Sequence, residues 1–277
     1  MLLLQSDARV AIYQAAAAAL TAELPLAVSL QDLAGDAERG REVLLDSAER
    51  ADLIIAIGSL AATLAREGAA GRPVLYCAVL NPERYELLSA PNVAGVSYEV
   101  SPEAQLRALK RALGDRTRVG VIYDPEKTGA TVAAAERAAA RLGLRIVKQQ
   151  AQRPEDVDFL FRSLRPDIDV LWLVPDSTVV TRESFELLAL HAAEAGIPVV
   201  AFAEAFVRQG ALLAFYPDPA AVGRQCGTLA VDILRGAAVP SRIGARGPER
   251  FACVVNRRIE GQLGVDIPEE MCTDLGG

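Results

Sequence analysis

The chain has 277 residues, 51% hydrophobic, 23% charged and 5% aromatic, with a formal net charge of −7. Apolar and charged fractions this close to globular averages exclude disorder and collagen-like structure. The acidic balance excludes nucleic acid as the main partner, because phosphate binding needs a basic face. No run of about 18 apolar residues occurs, so no membrane span is expected. At roughly 100–200 residues per domain, the length suggests two domains or one large one.

In chain order, short runs of consecutive apolar residues alternate with segments of helical period. Strands are expected at 2–5, 26–29, 53–57, 74–79, 119–123, 144–148, 170–174 and 199–203. Apolar residues at successive positions suit strands buried on both faces. Helices are expected over 7–23, 38–50, 59–67, 102–113, 128–142 and 181–195, where apolar residues recur on one face and Arg and Glu on the other. Such alternation implies a parallel sheet with helices on both sides.

The order repeats. Strand, helix, strand, helix, strand from Leu2 to Ser59 returns from Val119 to Asp176, at an offset near 117 positions. Ser101-Pro102-Glu103 reads as a fresh helix start with proline at its first position. Beyond the strand at 211–215 the pattern breaks: a long helix over 221–235 ends at Gly236, and a Pro/Gly loop leads to a strand at 251–255 and a short helix from Asn256. The expected architecture is α/β, with two doubly wound parallel-sheet lobes. Residues 1–98 plus 217–245 form one lobe and 99–216 plus 246–277 the other, with a three-crossing hinge and a ligand cleft between them.

In open α/β sheets, ligands bind beyond the carboxyl ends of the strands, where helix N-termini supply free N–H groups. Here those ends carry Gln5, Ser6, Asp7, Ser59, Ala78, Tyr98, Tyr123, Asp124, Asp176, Ser177, Thr178, Phe202 and Glu204, with no Lys or Arg among them. Hydroxyls and backbone N–H groups suit a carboxylate, Asp and Glu suit an ammonium, and aromatic rings suit an apolar side chain. The set reads as an amino-acid site, although Ser, Asp and Thr at helix starts also serve as ordinary caps.

Catalytic constellations are thin. The single histidine, His191, falls near the end of a predicted helix and reads as a solvated residue interacting with the helix dipole, which disfavours a Ser-His-Asp arrangement. No G-x-x-x-x-G-K-[ST] occurs, and no G-x-G-x-x-G follows the first strand. Glu269, Glu270, Asp167 and Asp169 read as solvated surface, and Trp172 as core. Cys77, Cys226, Cys253 and Cys272 lie far apart with no C-x-x-C pair, so neither a zinc site nor a fixed redox compartment follows; Cys77 reads as buried packing. The chain begins without a basic n-region or A-x-A site, as in a cytosolic protein or one whose leader has been removed. Binding without turnover is expected, with no catalytic residue, cofactor or metal.

From Leu2 to Pro268 the chain resembles the ABC-transporter substrate-binding proteins of the tryptophan/tyrosine-binding kind, which have the type I periplasmic-binding fold. The resemblance is carried by Ile55-Ala56-Ile57-Gly58-Ser59, Asn92-Val93-Ala94-Gly95-Val96-Ser97 and Val119-Gly120-Val121-Ile122-Tyr123-Asp124-Pro125. Pro175-Asp176-Ser177-Thr178, Gly210-Ala211-Leu212-Leu213, Gly223-Arg224-Gln225, Val254-Val255-Asn256 and Leu263-Gly264-Val265-Asp266-Ile267-Pro268 extend it. It implies a small organic ligand, a membrane permease as partner, a monomer and a periplasmic or other extracytoplasmic location. It also implies that Asp176-Ser177-Thr178 contacts the ligand's amino-acid backbone and that Ser59 and Gln5-Ser6-Asp7 line the site. A sensing module of the same fold, feeding a receptor, is the alternative. Tyr98 stands where the family usually has aspartate, and only Glu204 survives of its usual Ser-Asp-Glu. Both changes point to a more apolar or flatter ligand.

Overall fold

A computed structural model of the chain describes residues 1–25, 28 and 30–275. The chain divides into two compact units, Met1–Glu99 with Pro217–Phe251, and Val100–Tyr216 with Ala252–Gly277.

The first unit is built on β1 (Leu2–Gln5), β2 (Leu30–Asp32), β3 (Ile54–Ile57), β4 (Val74–Val79) and β5 (Val93–Ser97), in the order β5-β4-β3-β1-β2 with the short strand Ala245–Arg246 beside β5. These pairs are parallel, with Gln5 beside Ile57 and Ile57 beside Cys77. Every residue of β1, β3 and β4 is buried, because helices cover both faces. On one face α2 (Ala37–Ser47) and α3 (Ser59–Gly68) pack Leu44, Ala61 and Leu64 against Leu4, Ile54 and Tyr76. On the other, α1 (Ala11–Glu23) and the helix Pro219–Leu234 pack Ala16, Leu20, Val222 and Leu229 against Leu3, Ile55 and Leu75. The strand expected at 26–29 lies, except for Val28, outside the described residues.

The two helices on that second face approach closely because small residues meet there. A Cβ on Gly223 would lie 2.2 Å from the Ala16 carbonyl oxygen, a separation that no side chain tolerates. Cys77 lies within β4 and is fully buried. The thiol of Cys226, from the helix Pro219–Leu234, donates to the Tyr76 carbonyl at 3.8 Å, and burial raises the Cys226 pKa.

The second unit repeats the scheme. Its strands are β6 (Arg118–Tyr123), β7 (Arg145–Gln150), β8 (Val170–Trp172), β9 (Val199–Ala201) and β10 (Leu213–Pro217), in the order β10-β9-β8-β6-β7, continued by Phe251–Val255 and Thr273–Asp274 beyond β10. α4 (Pro102–Leu113) and α5 (Pro125–Leu142) pack on one face. α6 (Val157–Leu164) and α7 (Arg182–Glu194) pack on the other, and α8 (Glu204–Arg208) follows β9. The long helix after β10 is then α9 (Pro219–Leu234). Both sheets share the core order 2-1-3-4-5 of doubly wound folds, whose switch point lies between the first and third strands.

Several expectations need correction. The repeat implies a helix between the strands at 144–148 and 170–174, which α6 supplies, whereas no strand is expected over 93–97, where β5 lies. Gly95 makes β5 a weak strand by composition, yet it is required, since a Cβ there would lie 2.2 Å from the Tyr76 carbonyl oxygen. His191 is not solvated: its Nδ1 lies 2.6 Å from Asp158 Oδ1, joining α7 to α6. Asp169 is not free surface either. One oxygen accepts from the backbone N–H groups of Thr117 and Arg118, and the other from the Arg118 guanidinium. The cysteines lie far apart in sequence, but Cys253 and Cys272 form a disulfide that ties Thr273–Asp274 to Phe251–Val255. Trp172 is core, and its Nε1 donates to Gln105 Oε1 at 2.9 Å.

Candidate functional site

In the first unit the switch point lies where β1 and β3 end. β3 runs into Gly58, whose φ of +86° favours glycine, and α3 starts at Ser59. A Cβ on Gly58 would meet both Ser6 Oγ and the Tyr13 ring at 2.6 Å. The absent Cβ lets Ser6 and Tyr13 reach the start of α3. Ser6 is buried; its hydroxyl donates to the Ile57 carbonyl at 2.9 Å and accepts from the Ala61 N–H at 3.0 Å. Ser6 thus caps α3 from a neighbouring strand, a job that no side chain at the Gly58 cap position can do. Tyr13, half-buried in α1, lays its ring beside the start of α3, and burial raises its pKa.

Asp7 extends from the same edge but is committed to Arg9. Its two oxygens accept from the Arg9 guanidinium at 3.0 and 2.8 Å, and this pairing holds its pKa at about 2. Ala78 sits buried in the left-handed region at φ +56°, at a register shift between β4 and β5. Tyr98 donates its hydroxyl to the Pro217 carbonyl at 2.9 Å. Gln5, the last residue of β1, is 1% exposed, and its Nε2 has no hydrogen-bond partner among the described residues.

In the second unit the switch point lies where β6 and β8 end. Asp124 caps α5 by accepting the Glu126 N–H at 3.0 Å. Its other oxygen accepts the Thr178 hydroxyl at 2.7 Å, and this bond is the main cause of its lowered pKa. Asp176 is 2% exposed and accepts four hydrogen bonds: from the Asp124 N–H and the Thr128 hydroxyl on one oxygen, and from the Thr178 and Val179 N–H groups on the other. All its acceptor capacity is used within its own unit. Ser177, at the tip of the turn, is exposed. Tyr123 is buried and accepts from Gln150 Nε2 at 3.3 Å.

After β9, the Phe202 ring lies 4.9 Å from Phe206, which in turn meets Phe185 at 4.8 Å. Glu204 pairs with Arg208 and lies 3.4 Å from the Tyr216 hydroxyl. A cavity of about 500 Å³ opens beside these rings, lined by Val180, Arg182, Phe185, Glu186, Phe206 and Gln209. None of its lining residues was anticipated.

The expected residues thus gather in two groups: Ser6 and Ser59 at one switch point, and Tyr123, Asp124, Asp176, Ser177 and Thr178 at the other. Asp7, Ala78, Tyr98, Phe202 and Glu204 lie at neighbouring strand ends. Reasoning from sequence did not single out Arg9 or Tyr13, which carry no motif of their own. Among the described residues, no group of three or more His, Cys, Asp or Glu could hold a metal, and no helix is long and apolar enough to cross a membrane.

Residues 37–274 match the family described as ABC transporter substrate binding protein. The chain is 27% identical over 198 residues to a tyrosine-binding protein of Clostridioides difficile (strain R20291), across 69% of this chain and 57% of that relative's length. It superposes on the ligand-free, open structure of a substrate-binding protein with adhesive properties from Clostridium difficile with a TM-score of 0.82, at 24% identity over 99% of this chain and 97% of that one. Against an ABC domain from Streptococcus pneumoniae in complex with L-Trp, the TM-score is 0.63, at 19% identity over 98% of both chains. The fold is that of type I periplasmic-binding proteins, and the family is a non-enzymatic, substrate-binding class. With the two doubly wound sheets and the polar strand ends described above, the match over residues 37–274 makes this chain a member of the ABC transporter substrate-binding protein family.

Proposed function

We propose that the protein is the solute-binding component of an ABC importer and that its ligand is an amino acid or a related small molecule bearing a carboxylate. The observation that carries this reading is the start of α3. Gly58 leaves it without a side-chain cap of its own, Ser6 takes only the Ala61 N–H, and Ser59 adds a hydroxyl. Unsatisfied N–H groups and the positive end of the helix dipole favour a carboxylate there. The tyrosine-binding relative and the L-Trp complex of a structural neighbour support the same ligand class.

In this reading Ser177, exposed at the tip of the turn, binds the ligand's polar backbone, and Thr178 holds the turn in place. Tyr98, Tyr123 and Phe202 supply apolar walls, and Glu204 receives the ammonium. Asp176 and Asp124 hold the Thr178 turn in shape. Asp176 serves there as a scaffold, because its oxygens are already filled. The two units close on the ligand by a population shift no larger than the ligand's preference for the closed form. The loaded monomer then docks on a membrane permease outside the cytoplasm. The Cys253–Cys272 disulfide supports that location, since such bonds persist in oxidising compartments.

Native mass spectrometry of the purified protein tests the reading, with Ser59→Ala and Glu204→Gln beside the wild type. A co-purifying amino acid that is retained by the wild type and lost from both variants is expected. Equal retention by all three proteins would contradict the assigned roles.

A further inference from the structure

The chain first leaves the first unit at Glu99, and this residue is tied back into that unit. One oxygen of its carboxyl group accepts the Asn81 N–H. Asn81 opens the short turn Pro82–Tyr85, which follows β4. Asn81 and Glu86, on either side of that turn, have φ of +50° and +54°, in the left-handed region. Side chains hold that conformation where their surroundings fix it, and the bond to Glu99 fixes Asn81 from outside the turn.

Glu99 is an uneasy carboxylate. Burial is the largest cause of a pKa raised above the usual glutamate value of about 4.3. The Asn81 N–H works against that rise, and the carboxylate of Glu83, within the turn itself, adds to it. No Lys or Arg is among the charges that act on Glu99.

Tyr76 of β4 completes the cluster. It is fully buried, and its ring crosses Gly95 of β5. Its hydroxyl has no hydrogen-bond partner among the described residues, and the charges of Glu99 and Glu83 both act on it. A phenylalanine would fill the same space without a stranded hydroxyl. The hydroxyl suits a partner that exists in another protonation state, such as a protonated Glu99 with an O–H to give.

We infer that Glu99 is a proton-operated pin: as a carboxylate it holds the Asn81 N–H, and on taking one proton from water it releases Asn81 and turns its O–H to the Tyr76 hydroxyl. The turn after β4 then loosens beside the strand end that carries Ala78, and ligand affinity falls in acid. The pin itself concerns the first unit alone. Its effect on affinity rests on the reading of the protein as an amino-acid binder.

An NMR titration that follows the Glu99 carboxyl and the Asn81 amide together tests the pin. A common midpoint above the ordinary glutamate value is expected, with faster exchange of the Asn81 N–H below it. Glu83→Gln, at an exposed position, should lower that midpoint by removing a like charge. Tyr76→Phe should lower it by removing the acceptor of the acid proton. A raised carboxyl pKa means that folding favours the protonated form, so its effect on stability is adverse as pH rises through that value. Glu99→Gln should therefore melt at or above the wild-type temperature near neutral pH, with its Asn81 amide insensitive to pH. Should Glu99→Gln fail to fold, the Glu83→Gln midpoint decides the matter.

Calorimetry of the same proteins with L-tyrosine, L-tryptophan and L-leucine tests the effect on affinity. Wild-type affinity should fall below the midpoint by at most about tenfold per pH unit, the limit for one linked proton, and Glu99→Gln should lose that dependence. An Asn81 amide that does not titrate with Glu99, or a midpoint moved by neither Glu83→Gln nor Tyr76→Phe, would overturn the pin. Equal pH dependence of affinity in wild type and Glu99→Gln would overturn its coupling to the ligand. Failure of the wild type to bind any of the three amino acids would overturn the wider reading, while the NMR midpoints still decide the pin.

Discussion

Asp176 and Asp124 are joined twice, although 52 residues separate them. Asp176 Oδ2 accepts the Asp124 N–H at 2.8 Å. Thr178, whose N–H donates to the other Asp176 oxygen, gives its hydroxyl to Asp124 Oδ2 at 2.7 Å. The turn after β8 is thereby fixed to the start of α5, and both carboxylates act within the frame of the switch point.

Asp176→Ala removes the acceptor for four donors, two of them on the Thr178 turn and two on the β6–α5 junction. Hydrogen bonds to charged groups contribute about 1.5–3 kcal/mol each, and stranded buried donors add a desolvation cost. Urea denaturation should show a loss on the order of 3 kcal/mol. A loss below about 0.5 kcal/mol, the size of an ordinary surface substitution, would mean that the turn holds without it.

The Asp7–Arg9 pair gives a pH dependence of known sign. Asp7 has its folded-state pKa depressed to about 2, with the Arg9 hydrogen bond as the largest cause. A depressed carboxylate stabilises the fold above its unfolded pKa of about 3.9, and that contribution is lost as pH falls towards the folded value. An NMR titration should find the Asp7 carboxyl midpoint near 2 in the wild type. In Arg9→Gln the midpoint should return towards the ordinary aspartate range, and the acid limb of the stability curve should flatten between about pH 4 and pH 2.

The packing of α1 against α9 depends on Gly223. Gly223→Ala places a methyl group 2.2 Å from the Ala16 carbonyl oxygen, so one of the helices must shift. Overpacking of this kind costs about 1–3 kcal/mol. The denaturation midpoint should fall accordingly, while the same substitution at half-buried Gly129, where a Cβ meets nothing within 4 Å, should not destabilise the protein.

The disulfide joins residues 19 apart in sequence. Replacing both Cys253 and Cys272 by serine should cost about 2–4 kcal/mol. Thiol titration of the unreduced wild type should find no reactive thiol in the folded protein, and two after denaturation, from buried Cys77 and Cys226. Four reactive thiols would mean that the bridge is not formed.

Much of this architecture is legible in the amino-acid order. Leu2-Leu3-Leu4, Ile54-Ile55 and the run from Val74 to Val79 announce strands buried on both faces, and the repeat at an offset near 117 anticipates two like sheets. β5 is harder to read because Gly95 weakens it, and its need for glycine is visible only once Tyr76 lies beside it. The strand-end residues are legible as a class, since β-to-α junctions collect caps and hydroxyls. Which of their atoms are already occupied is not, because the partners come from far along the chain: Ser6 meets Ala61, and Asp124 meets Thr178. The same holds for Cys253 with Cys272 and for His191 with Asp158.

Titration calorimetry of the wild-type protein with L-tyrosine, L-tryptophan and L-leucine, repeated with tyramine, tests most directly the claim that the protein binds a carboxylate-bearing amino acid. Saturable binding of at least one of the three at one ligand per chain is expected, with markedly weaker binding of tyramine. Absence of binding by all three, or tyramine binding as tightly as L-tyrosine, would contradict the claim.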